Sequence, residues 1–123
     1  METAMDMNHL HLAVADVEKS RKFYERCFGF REKIWHGNIL FLTSDDGFDL
    51  ALDPKYPPSP MPPWYHHGFR LESENAVKQV FAGMQASFPE QIKRPVETYP
   101  DHVFFKCVDI DGYAIEVYWE PQP

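Results

Sequence analysis

The sequence predicts an α+β fold of two βαβββ modules that form a shared curved, cup-like sheet with the helices on its outside. Three observations predict it: an internal repeat, three strand-like segments after each helix, and a proline-rich stretch between the halves. At 123 residues the chain is long enough for one domain but too short for two large ones. The modules must therefore share one core.

The repeat begins with two short strands that each open on a histidine. His9 to Asp16 aligns with His66 to Ser73, and each segment ends on a helix N-cap residue seven positions later. A helical pattern of apolar residues follows each of these two segments. The buried stripe of the second helix consists of Val77, Val80, Phe81, Met84 and Phe88, and the equivalent residues of the first helix are Ser20, Phe23, Tyr24 and Cys27.

Three strand-like segments follow each helix, at about 30–35, 38–43 and 48–52 and at about 91–97, 102–108 and 113–119. An Asp-Gly pair, typical of hairpin turns, precedes the last strand of each half. Residues 54–63 include six prolines, which favour a stiff extended linker. We predict a single domain, 7–123, made of module 7–53 and module 64–120 joined by linker 54–63.

Charge and composition indicate which kinds of partner and which compartment to expect for this protein. A net charge of −7 without a cluster of Lys and Arg disfavours nucleic acid and indicates a small-molecule partner. No apolar run is long enough to span a membrane, and no secretory signal is evident at the N-terminus, so we expect a cytoplasmic protein. Cys27 and Cys107, far apart and without CxxC spacing, are expected to be reduced thiols.

Strand alternation places several polar side chains on the concave face of the sheet. If the leucines of the first strand face its helix, His9 and His11 face the cup. The same parity turns His66 and Glu116 into the cup and His67 towards the helix, where a structural role is expected. Two imidazoles and a carboxylate form a facial triad suited to one Fe, Mn, Zn or Ni ion. A strand histidine is also often purely structural, so that alternative stays open.

With these features assembled, the sequence resembles the vicinal oxygen chelate superfamily, which includes glyoxalases, bleomycin resistance proteins and extradiol dioxygenases. The resemblance runs from Met7 to Glu120, and its most specific segments are 8–16, 19–24, 29–30 and 109–116. It implies that His9, His66 and Glu116 are metal ligands.

The resemblance does not identify a subfamily. Glyoxalase I has a fourth ligand, a Glu, where this chain has Ala51, and extradiol dioxygenases have a catalytic Tyr where it has Lys106. Fosfomycin-resistance proteins have a Thr in place of His11. The expectation is therefore a divalent-metal-dependent lyase or dioxygenase type of enzyme whose reaction is not specified.

The expected substrate is a small, oxygen-bearing, anionic molecule chelated to the metal. Glu116 and His11 are the candidates for moving a proton, and Arg70, unless it pairs with Asp49 or Glu116, is a candidate for holding the anion. The predicted substrate-binding residues are Arg70, Lys106, Phe104 and Tyr118.

The alternative is a metal-free protein that binds a drug or another small molecule, as bleomycin-resistance relatives do. An aromatic content of 15% supplies a pocket for it. Its candidate aromatic residues are Trp35, Trp64, Tyr65, Phe104 and Tyr118. In either case we expect a homodimer, in which His9 of one chain joins His66 and Glu116 of the other or all three ligands come from one chain.

Overall fold

A computed structural model describes residues 4–122, so the predicted domain end at Pro123 lies outside the described residues. The first module contains β1 (His9–Ala13), α1 (Val17–Phe28), β2 (Arg31–His36), β3 (Ile39–Thr43) and β4 (Asp49–Asp53). The second contains β5 (His67–Arg70), α2 (Glu74–Ser87), a 3-10 turn (Pro89–Gln91), β6 (Ile92–Tyr99), β7 (His102–Val108) and β8 (Ala114–Trp119). The predicted order of strands and helices is confirmed.

The helix ends follow the predicted signals. Asp16 caps α1 by accepting a hydrogen bond from the backbone N–H of Lys19 at 3.1 Å. Ser73 caps α2 in the same way, with the N–H of Ala76 at 3.0 Å. Gly29 ends α1 in the left-handed region at a φ of 71°, which glycine adopts without a steric cost.

Hydrogen bonding divides the eight strands into two four-stranded sheets. The first sheet has the order β1-β4-β3-β2 and the second β5-β8-β7-β6, so that β1 and β5 are edge strands. In each sheet the first strand pairs in parallel with the last strand of its module, and the other neighbours are antiparallel. The two-module α+β fold is confirmed, with its sheet surface built from two sheets rather than one continuous ladder.

A cavity of about 490 Å³ is lined by residues of both modules, including residues of β1 and β5. Leu10 and Leu50 line it from the first sheet, Phe69 lines it from β5, and Phe28 lines it from α1. The rings of Phe28 and Phe69 stack with centroids 4.0 Å apart. Side chains of α1 thus occupy the space beside β5. The two modules contact each other through packed side chains and not through a shared strand ladder.

One hydrophobic core joins the modules. Phe23 and Tyr24 of α1 and Phe105 of β7 are completely buried in the same cluster. Phe23 also packs edge-on against Phe88, at the end of α2, with ring centroids 5.4 Å apart. Burial of this shared apolar surface is the main source of stability for both modules.

Among residues 4–122, no helix has the length and apolar character needed to cross a membrane.

Candidate functional site

Each sheet has an open face, defined here as the side that points away from the helices. On the first sheet this face carries His9 and His11, which are exposed, while Leu12 and Val14 are buried on the helix side. His9 lies opposite Asp49 in the β1–β4 pairing. The carboxylate of Asp49 accepts a hydrogen bond from the Lys33 ammonium at 2.5 Å, which lowers the pKa of Asp49.

His11 is held by a buried carboxylate. Its Nε2 lies 2.8 Å from Oδ2 of Asp53, a residue only 4% exposed, whereas the His11 side chain is 53% exposed. Hydrogen bonds from the backbone N–H of Lys55 and from the His11 imidazole lower the pKa of Asp53. The Asp53 carboxylate is therefore ionised and only accepts hydrogen bonds. Nε2 of His11 therefore carries the hydrogen, and in the neutral ring Nδ1 remains an acceptor.

The open face of the second sheet is mapped by its strand register. Glu116 of β8 lies between Gly68 of β5 and Lys106 of β7. In the next row Tyr118 lies between Arg70 and Phe104.

Gly68 allows close contact beside Glu116. A Cβ atom added at Gly68 would lie 3.1 Å from the backbone oxygen of Glu116, which is tighter than ordinary contact. Because Gly68 has no side chain, β5 can approach β8 closely at the carboxylate that we predict to bind metal.

The two predicted ligand histidines share an arrangement that suits metal binding. Nδ1 of His9 lies 2.9 Å from Oδ1 of Asn8, and Nδ1 of His66 lies 3.2 Å from the backbone oxygen of Trp64. Both partners are acceptors, so each Nδ1 carries the hydrogen and each neutral ring keeps a lone pair on Nε2. Metal-binding histidines are commonly oriented by such a hydrogen bond from the second ring nitrogen.

The triad is not assembled within one chain. His9 lies on β1 of the first sheet and Glu116 on β8 of the second, while His66 immediately precedes β5. In the part of the chain that the structure describes, no group of three or more His, Cys, Asp or Glu side chains is placed to hold a metal ion. The structure thus leaves His9 and Glu116 on different sheets, and His66 lies just before the strand that pairs with β8.

The other predicted site residues are placed as follows. Arg70 pairs with Glu120, through Nη1 to Oε1 at 2.9 Å and Nη2 to the backbone oxygen at 3.0 Å, rather than with Asp49 or Glu116. Trp35 lies opposite the buried Leu40, which puts it on the helix side of the first sheet. Trp64 and Tyr65 are exposed just before β5.

His67 points to the helix side, as its predicted structural role requires. Its Nε2 lies 3.2 Å from the hydroxyl of Tyr24, which in turn donates to Oδ2 of the buried Asp109 at 2.7 Å. Burial, with a smaller effect of His66, lowers the pKa of His67 from 6.5 to about 4. His67 therefore belongs to a polar contact between the modules.

This low pKa predicts a loss of stability in mild acid. The unfolded chain takes up the proton first, so the stability is complete above pH 6.5 and decreases as the pH falls towards 4. We expect His67 to lower the unfolding free energy by about 2 kcal/mol between about pH 7.5 and about pH 5. Urea unfolding of metal-free protein measures this. The His67→Gln variant, which cannot titrate, should lose correspondingly less, and identical pH profiles would contradict the assignment.

Sequence reasoning missed the residues that orient the histidines. Asp53 is the last residue of the predicted first module, and the alternation of Asp49, Ala51 and Asp53 places it on the open face. That parity was the available signal. Asn8 and the Trp64 carbonyl precede their strands, where alternation gives no information.

The comparisons with known proteins agree with this architecture. Residues 6–117 match the model of the Glyoxalase/Bleomycin resistance protein/Dioxygenase superfamily. A possible glyoxalase from Bacillus cereus is 32% identical with a TM-score of 0.73, over 93% of this chain and 98% of that one. The chain belongs to the glyoxalase/bleomycin resistance protein/dioxygenase superfamily.

More distant structures share the fold. A glyoxylase/bleomycin resistance protein/dioxygenase domain from Frankia sp. has a TM-score of 0.78 at 17% identity, over 97% of this chain and all of that one (100%). Lactoylglutathione lyase from Agrobacterium tumefaciens has a TM-score of 0.71 at 18% identity, over 95% of each chain. No curated protein matches the sequence.

Proposed function

We propose that the protein is a homodimeric, divalent-metal-dependent enzyme that acts on a small oxygen-bearing anion. In this proposal His9 of one chain and His66 and Glu116 of the other bind the metal. The observation that carries this proposal is the similar hydrogen bonding of His9 and His66. In both rings Nδ1 is used in a hydrogen bond, and the lone pair of Nε2 remains available to bind a metal.

The donor set fits a transition metal. Two neutral imidazoles and one carboxylate suit Fe(II), Mn(II), Zn(II) or Ni(II) and leave coordination positions for adjacent oxygens of a substrate. A bound ion supplies Lewis acidity, which stabilises negative charge on those oxygens. His11, oriented by Asp53, would accept or give a proton at Nδ1. Lys106, next to Glu116 in the strand register, attracts an anionic substrate.

The positions of the ligands on the sheets support a site shared between two chains. His9 is on edge strand β1, and His66 immediately precedes edge strand β5. Two-fold pairing that places the first sheet of one chain against the second sheet of the other repeats the same contact twice. It would create two equivalent sites and cover both open faces and their unpaired strand edges.

Metal content tests the proposal. Protein purified without chelator and equilibrated separately with Fe(II), Mn(II), Ni(II) and Zn(II) should hold about one ion per chain, measured by inductively coupled plasma mass spectrometry after desalting. If none of the four ions is retained, the enzyme proposal fails and the metal-free binding protein becomes the better explanation.

A further inference from the structure

The open face of the second sheet has an aromatic wall next to its charged row. Phe104 lies opposite Tyr118, and Lys106, two residues along β7, lies opposite Glu116. Phe104 and Glu116 are therefore diagonal neighbours on adjacent strands, and such residues are typically separated by about 7–8 Å. This is the scale of a small acid that carries one aromatic ring.

The ring of Phe104 is held in a fixed orientation. It lies within 10° of parallel to the rings of His102 and Tyr99, with centroids 5.5 and 6.3 Å away. The guanidinium of Arg94 lies 5.5 Å from its centre, and Glu97 binds this guanidinium. Phe104 remains partly exposed, so a rigid aromatic surface is available on the open face.

Lys106 is a cation of this face that forms no ion pair among residues 4–122, although its charge helps to lower the pKa of Glu97. The ion pairs of residues 4–122 engage Arg70 with Glu120 and Arg94 with Glu97, and none engages Lys106. The Lys106 ammonium lies one residue pair along the strands from Phe104. This spacing suits a ligand whose negative charge is close to its own aromatic ring.

We infer that the substrate is an arylated chelating acid, in which an aromatic ring is attached to the carbon that bears the adjacent oxygen donors. Its oxygens face the metal proposed at His66 and Glu116, its charge faces Lys106, and its ring packs against Phe104. This inference rests on the proposed metal site and specifies which substrate that site accepts.

Mandelate and lactate test the inference, because both carry the same 2-hydroxycarboxylate and differ in a phenyl or a methyl group. Isothermal titration of metal-loaded protein should give about tenfold tighter binding of mandelate. Phe104→Leu should reduce this ratio to about twofold, while Lys106→Gln should weaken both acids and leave the ratio unchanged. Trp35→Leu, which removes an aromatic residue on the helix side, should keep the wild-type ratio.

Equal affinities for the two acids, binding of neither acid to protein that holds metal, or a ratio that survives in Phe104→Leu would overturn the inference. Failure of the proposed function has a different signature, because metal would then be absent before either acid is added. Far-ultraviolet circular dichroism of each variant verifies that the fold is retained.

Discussion

Replacing Glu116 with Ala is expected to weaken metal binding by about 100-fold or more. Loss of an orienting residue behind a metal ligand typically costs 10- to 100-fold, and Glu116 would be the only charged ligand of the site. Its side chain is partly exposed on the open face and is not part of the hydrophobic core, so the fold should tolerate the change. Competition with a fluorescent chelator measures the affinity.

Two variants sharpen this test. Glu116→Gln keeps the shape of the side chain but removes the charge, and it should lose most of the affinity. His67→Gln, on the helix side of β5, should retain the metal. If His67→Gln lost the metal while His66→Ala kept it, our assignment of the strand faces would be off by one residue.

Asp109→Ala is expected to lower the unfolding free energy by about 3–5 kcal/mol. Asp109 is completely buried, and its Oδ1 accepts the backbone N–H groups of Asp111 and Tyr113 at 3.0 Å while its Oδ2 accepts the Tyr24 hydroxyl. Burial raises the pKa of Asp109, and these hydrogen bonds oppose that rise. Alanine would leave the buried Tyr24 hydroxyl and two partly buried N–H groups without this acceptor.

The internal repeat provides a matched control. Ser44 occupies the equivalent turn before β4, where its hydroxyl oxygen accepts the Phe48 N–H at 3.1 Å, and its hydrogen bonds among the described residues stay within that turn. Ser44→Ala should cost about 1 kcal/mol. Asp109→Asn keeps one acceptor oxygen and should fall between the two. Urea unfolding compares them, and equal losses for Asp109→Ala and Ser44→Ala would show that the contact between modules adds no stability.

The local architecture was predictable because its signals are local. Cap residues such as Asp16 and Ser73, helical periodicity and the Asp-Gly turns depend on neighbours within a few positions. Strand alternation also predicts that His67 faces the helices, and its ring contacts the Tyr24 hydroxyl there.

The relation between the modules was not predictable in the same way. It depends on contacts between residues far apart in sequence, such as Tyr24 with Asp109 and Phe28 with Phe69. No periodic pattern in the sequence indicates these contacts. The sequence of an edge strand also gives no indication of whether that strand faces its own chain or a second one. For this reason the sequence identified His9, His66 and Glu116 as candidates without deciding whether one chain contains all three.

A site shared between two chains is the central claim, and hybrid dimers test it most directly. A His9→Ala chain and a Glu116→Ala chain, carrying different affinity tags, can be co-expressed and the mixed dimer isolated through both tags. Each mutant homodimer lacks one ligand at both of its sites. In the mixed dimer, His9 of the Glu116→Ala chain would meet His66 and Glu116 of the other chain.

The measurement is the number of metal ions per dimer. We expect two in the wild-type dimer, about none in either mutant homodimer and one in the mixed dimer, because one of its sites regains all three ligands. Mixed dimers that form but bind no metal would contradict the shared site, as would a wild-type protein that sediments as a monomer at micromolar concentration.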